Sequence, residues 1–144
     1  MPEKLYMSVN SFIDTNVWVY AHFQHSHEKC AIALELIETL PALVSSTQVL
    51  NEYYSVMLKK KIIDRLIQDN IEVIISIAAI QTIQVTTIRF AHRLKLKYGF
   101  SYWDSLIVAS ALEADCRQLY SEDLQHGQVI EDRLTVINPF VNLR

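Results

Sequence analysis

SFIDTNVWVY, residues 11–20, places one carboxylate between two apolar runs. Val9 to Ile13 reads as a short buried strand that Asp14 closes. Thr15 or Asn16 is then positioned to cap a brief helix running through Phe23. A carboxylate in such surroundings is costly to bury unless it is paired, hydrogen-bonded or held against a cation. The question for the rest of the chain is which residues share the site of Asp14.

Working outward, Ser26 followed by CAIALELIETL starts a second helix, with Ala31, Leu34 and Ile37 at helical spacing and Pro41 just past its end. ALVSS (42–46) is the next strand. Thr47 is expected to cap the helix QVLNEYYSVMLKKK, whose apolar stripe is Val49, Tyr53, Val56 and Met57. Asp64 opens a further helix through IEVIISIAAI (71–80). TIQVTT (82–87) is rich in β-branched residues and predicts a third strand or extended segment. RFAHRLKLKYG (89–99) reads as a basic amphipathic helix stopped at Gly99, and SYWDSLIVASALEAD as a largely buried helix with Asp104 in its first turn. RQLYS (117–121) is a strand running into Glu122 and Asp123, and LTVIN (134–138) is the last strand. Short apolar strands alternating with helices imply an α/β fold, a parallel sheet covered on both faces.

With 144 residues, 51 % hydrophobic and 20 % charged, the chain has the composition of a soluble globular domain with a sizeable core. One domain over residues 1–144 is expected. The net charge of −3 excludes binding of nucleic acid through overall basicity, but not through a local basic rim. Cys30 and Cys116 are too few and too far apart for a metal knuckle or a disulfide framework, and read as reduced thiols. MPEKLYMSVNSF lacks the apolar core of a signal peptide, and IEVIISIAAI is about half the length of a membrane span. A cytoplasmic protein with no membrane partner is expected.

Four acids point to chemistry. Asp14 and Asp123 both follow strand ends, Asp104 begins a helix, and Glu52 lies in the second turn of the helix after ALVSS. All four should face the carboxyl edge of the sheet, where open α/β folds bind ligands. Acids gathered there repel one another unless a divalent cation neutralises them, and oxygen-only donors favour Mg²⁺ or Mn²⁺ over Zn²⁺. Such a cation lowers the pKa of a bound water and polarises a phosphoryl oxygen. Taken singly, each acid also has a plain reading: Asp14 as a helix cap, Asp104 as a first-turn residue, Glu52 as a solvated position, Asp123 as a turn.

FIDTNVWVYA, STQVLNEYYSVMLKK, GFSYWDSLIVASALEADC and LYSEDLQHGQVIEDRLTVINPF, in this order over nearly the whole chain, resemble the motifs of the PIN domain family and more narrowly of VapC-type toxin ribonucleases. The resemblance implies a three-layer sandwich around a central parallel sheet of 4–5 strands. It also implies a Mg²⁺- or Mn²⁺-dependent endoribonuclease, a hydrolase of RNA phosphodiester bonds, with a small antitoxin partner of a type II toxin–antitoxin pair and a homodimeric state. By the same resemblance Asp14 and Asp104 are the main metal ligands. Glu52 and Asp123 complete the catalytic acids, and Asn16 and Ser121 steady them. Glu122 competes with Asp123 for the fourth place, and Asp123 is preferred.

RNA held against an acidic pocket needs contacts of other kinds. Lys59, Lys60, Lys61 and Arg65, then Arg89, Arg93, Lys95 and Lys97, are the candidate phosphate contacts, with His126 near the acidic edge. All also read as solvated helix residues. Tyr102 and Trp103 are able to stack a base, although core packing is the expectation for Trp103. His22, His25 and His27 have no fourth ligand for zinc and read as surface loop residues. IEVIISIAAI is either a core helix or a face for a partner. Two other functions compete with the toxin: an RNA-processing or decay nuclease without antitoxin, and a non-catalytic nucleic-acid or protein binding module. A phospho-acceptor receiver is disfavoured because no Lys follows Lys97.

Overall fold

The computed structural model describes residues 9–23 and 26–143, so the start of the N-terminal segment and His25 lie outside the described residues. Strand β1 (Asn10–Ile13) leads through α1 (Thr15–His22) and α2 (His27–Thr39) to β2 (Ala42–Ser46). Helices α3 (Thr47–Lys59) and α4 (Asp64–Ile77) follow, then β3 (Ala79–Gln81). Helices α5 (Val85–Tyr98) and α6 (Tyr102–Glu113) precede β4 (Gln118–Tyr120), β5 (Val129–Ile130) and β6 (Leu134–Ile137).

The strands form one sheet in the order β3-β2-β1-β4-β6-β5, flanked by helices. Phe12 of β1 lies level with Val44 of β2 on one side and Leu119 of β4 on the other, both parallel. The α/β class holds, but six strands replace the expected 4–5, and β5 runs antiparallel to β6. A two-residue strand gives no periodicity to read, which is why it was not foreseen. Phe12, Ile13, Trp18, Leu119 and Val136 are fully buried in the core, and α6 is buried along Ser105 to Leu112. Both cysteines are free and buried.

The segment around TIQVTT corrects a second expectation. The third strand is AIQ, carved from the end of IEVIISIAAI, and Val85 already begins α5. Thr87 shows the reason. Its hydroxyl accepts the Gln84 N–H at 3.1 Å, one half of a reciprocal capping box that starts the helix. Helix entry also settles elsewhere on the residue before the expected one: Asp14 caps α1, and Ser46 rather than Thr47 caps α3 through the Val49 N–H at 3.3 Å. Gly99 closes α5 with φ 77, a left-handed conformation that suits glycine.

Candidate active site at the carboxyl edge of the sheet

From β1 the chain builds β2 and β3 on one side and then returns to place β4 on the other. The carboxyl ends of β1 and β4 therefore flank a switch point, where open α/β sheets form their ligand crevice. Asp14 sits there. Its backbone N–H continues the ladder to the Tyr120 carbonyl at 3.0 Å, which fixes the main chain beneath the side chain. One carboxylate oxygen accepts the Thr15 N–H at 2.7 Å and the other the Ser121 hydroxyl at 2.8 Å. The cap that starts α1 and the acid of the site are thus one residue.

Asp14 is 3 % exposed. Burial pushes its pKa up to about 7, against the pull of the Ser121 and Thr15 hydrogen bonds; the negative charges of Asp123 and Glu52 add to the rise. Asp104 enters the first turn of α6, whose cap Ser101 accepts its N–H at 3.1 Å. Its pKa is raised too, first by burial and then by the charge of Asp123, with the Ser101 hydroxyl opposing. Glu52 is tied at both oxygens: the Thr15 hydroxyl donates at 2.9 Å and the Gln48 amide at 3.2 Å. Asn16 donates to Asp123 at 3.1 Å and accepts the Glu122 N–H at 3.3 Å. Ser121, besides donating to Asp14, accepts the Asp123 N–H at 3.1 Å.

Glu122 points elsewhere. It accepts from Tyr20 at 2.8 Å and pairs with Lys29, whose ammonium also lies 4.8 Å from the centre of the Tyr20 ring. The two neighbouring acids are therefore separated by environment, one neutralised and one not.

No set of three or more His, Cys, Asp or Glu closes into a ready-made metal cage among the described residues. The four acids share an edge, and Asp14 feels Glu52 and Asp123 while Asp104 feels Asp123. Thr15 and Ser121 tie Asp14, Thr15 and Gln48 tie Glu52, Asn16 ties Asp123, and Ser101 accepts the Asp104 N–H. The donor set still fits a hard divalent cation. Every donor is a carboxylate oxygen, and each hydrogen-bonded oxygen of Asp14 keeps a further lone pair.

Beside Asp14 opens a groove of about 440 Å³, lined by Thr15, Asn16, Glu52, Ser55, Lys60 and Asp123 among others. Lys60 is the basic candidate that reaches this wall, its ammonium also 4.9 Å from the Phe23 ring centre. Lys59, Lys61, Arg89, Arg93 and Lys95 are exposed on the helices and the turn after α3, and Arg65 faces Asp69 at 3.6 Å. Lys97 is engaged by Glu131 at 2.6 Å. His126 accepts the Asn138 N–H at 3.0 Å and so braces its own loop. Trp103 corrects the expectation of core packing: it is 61 % exposed. His22 is no loop residue either. It lies in the last turn of α1, hydrogen-bonded to the Tyr53 hydroxyl at 2.8 Å. Thr15 and Gln48, which position Glu52, escaped the sequence reading, although Gln48 stands four residues before Glu52 on one helix face.

Three solved structures share this fold. The Mycobacterium tuberculosis VapC20 structure, described as a sarcin–ricin loop cleaving toxin, has 16 % identity and TM-score 0.66, covering 78 % of this chain and 89 % of its own. VapBC2 from Rickettsia felis, bound to a DNA fragment from its promoter, has 17 % identity and TM-score 0.65, covering 90 % and 100 %. A toxin–antitoxin complex from Klebsiella pneumoniae has 19 % identity and TM-score 0.66, covering 90 % and 97 %. No curated protein matches the sequence. The family model of the PIN domain matches residues 11–130, which takes in Asp14, Glu52, Asp104 and Asp123, and the chain belongs to the PIN domain family.

Proposed function

We propose that residues 1–144 act as one divalent-metal-dependent endoribonuclease domain, the toxin of a type II toxin–antitoxin pair. The observation that carries the nuclease reading is the uncompensated acid edge. Asp14 is buried with no ion pair among the described residues, and the charges it feels, Asp123 and Glu52, are both negative. Asp14 and Asp104 would hold a Mg²⁺ or Mn²⁺ ion, with Glu52 and Asp123 completing its surroundings. When bound, the cation supplies Lewis-acid activation of water and of the phosphoryl group. Ser121 and the Thr15 N–H keep the two oxygens of Asp14 in fixed orientation. Asn16 holds Asp123 toward the groove, and Gln48 with Thr15 holds Glu52. Lys60 on the groove wall offers a phosphate contact.

The toxin reading is supported by the three related folds and by the outer face of α4. Leu66, Val73 and Ile77 share one side of that helix, Ile63 stands just before its start, and all four are exposed. Such a stripe suits a small antitoxin or a second copy of the chain. A cytoplasmic location accords with this, and no described helix is long and apolar enough to cross a membrane.

The experiment is to sequence RNA ends after incubation with the wild-type protein and with Asp104→Asn, with Mg²⁺, with Mn²⁺ and with chelator. Discrete cut sites that require metal and fall by about a thousandfold or more in the variant are expected. Equal cutting by both proteins would overturn the reading. Growth arrest on expression, relieved by a neighbouring small gene, separates a toxin from a decay nuclease.

A further inference from the structure

A second pocket adjoins the acid edge on the side away from Lys60. It encloses about 440 Å³ and is lined by Thr47, Gln48, Asn51, Ile83, Trp103 and Leu106, with Glu52 shared between it and the groove. Among the described residues no Lys or Arg lines it, which does not favour a phosphate there. Its walls are largely apolar and aromatic, and its polar groups are two amides, one hydroxyl and the shared Glu52 carboxylate. Trp103 is exposed yet steadied, its ring set edge-on to Tyr102 at 5.3 Å between centres.

Gln48 is 8 % exposed. Its Nε2 donates to the Glu52 carboxylate at 3.2 Å and to the Trp103 carbonyl at 3.1 Å. Both partners are acceptors, so the orientation of the amide is fixed by chemistry. The remaining oxygen, Oε1, is buried and has no donor. Both amide hydrogens are thus used and the oxygen is closed off from the pocket, so Gln48 serves to fix the Trp103 backbone beside Glu52.

We infer that this pocket receives a nucleobase of the single-stranded RNA, one step along the strand from the phosphate at the acid edge, stacked on the Trp103 that Gln48 holds beside Glu52. The inference rests on the nuclease reading above. A flat apolar body with a polar N–H edge is what the pocket complements, and nucleobases have that form. The electrostatics favour it as well. Among the described residues Lys60 is the one Lys or Arg on the walls of the two cavities, so few phosphate contacts are available there and stacking adds affinity beside them.

The test digests a random-sequence RNA pool with wild type, Trp103→Ala, Trp103→Phe and Gln48→Leu, and reads base preference around the cuts. In parallel, tryptophan fluorescence is followed in chelator as short unstructured RNA oligonucleotides are added, with Trp103→Phe as the control for Trp18. Trp103→Ala should cut about tenfold to a hundredfold more slowly and lose the preference at one position beside the cut, while Trp103→Phe retains it. Gln48→Leu, which frees the Trp103 backbone from Glu52, should weaken the preference at that same position and at no other. Binding should weaken only slightly with salt, with a slope near one or two phosphate contacts. Cutting by Trp103→Ala at the wild-type rate and with the wild-type preference overturns the pocket and leaves the nuclease reading intact. Quenching of Trp103 without any cutting overturns the nuclease reading and keeps the pocket. Neither quenching nor cutting removes both.

Discussion

Asp14 and Glu131 occupy opposite edges of the same sheet and titrate in opposite senses. Glu131 lies in the turn before β6, at the amino edge of the parallel strands. Lys97 donates to it at 2.6 Å and the Tyr98 hydroxyl at 2.7 Å, and these two bonds hold its carboxyl below the usual range. Asp14 has hydrogen bonds but no cation, and burial lifts it to about 7. At the amino edge acids are spent on closing the structure, as Asp115 facing Arg133 at 3.9 Å also shows. At the carboxyl edge, among the described residues, Glu122 alone of the acids following β1 and β4 has a basic partner. The difference separates charge that serves the fold from charge that the fold tolerates for another purpose.

Removing the charge of Asp14 gives the strongest contrast. A carboxyl lifted from 3.8 to about 7 by folding costs about 4 kcal/mol of stability once fully ionised. The penalty is absent below about pH 4, where both states carry the proton. It grows between about pH 4 and pH 7, where the unfolded chain has given up its proton and the folded one has not, and levels off above about pH 7. Asp14→Asn should therefore be more stable than wild type by about 2–4 kcal/mol at pH 8 in chelator, the gap closing on acidification. Denaturant titrations across pH measure this. Added Mg²⁺ should stabilise wild type and not the variant, and the variant should cut no RNA. Equal stability at all pH values would show that the buried acid is compensated after all.

A smaller effect is expected one layer out. Asn16→Ala frees Asp123 and the Glu122 N–H together, and should lower RNA cleavage about 10- to 100-fold with the fold retained by circular dichroism. The smallest belongs to the amino edge. Glu131→Gln should slightly lower the melting temperature, by an amount that vanishes in high salt, and leave cleavage rates as they were.

How much of this was legible beforehand depended on the reach of each interaction. The strand–acid–helix corner at Asp14 is local, since one residue both ends β1 and caps α1, and so it reads directly from residues 11–20. The same holds for the stop at Gly99. What failed was decided by packing or by very short elements. Val85 and Thr86 have strand preferences, but the Gln84–Thr87 cap outweighed them, since β-branched residues in a helix cost only about half a kcal/mol each. Trp103 sits at the start of a helix buried along most of its length, and nothing in its own neighbours says that it faces out. The acids were identifiable as types and positions, whereas the bonds that orient them run from Thr15 to Glu52 and from Asn16 to Asp123, across 37 and 107 residues.

The margins of the sheet carry a final consequence. One border is β3, three residues long, and the other is β5, two residues long and reversed in direction. Borders so short expose too few free backbone donors and acceptors for a foreign strand to zip on. Company for this molecule must therefore arrive through side chains on its helical exterior, which makes recognition a matter of residue identity and open to tuning by point substitution.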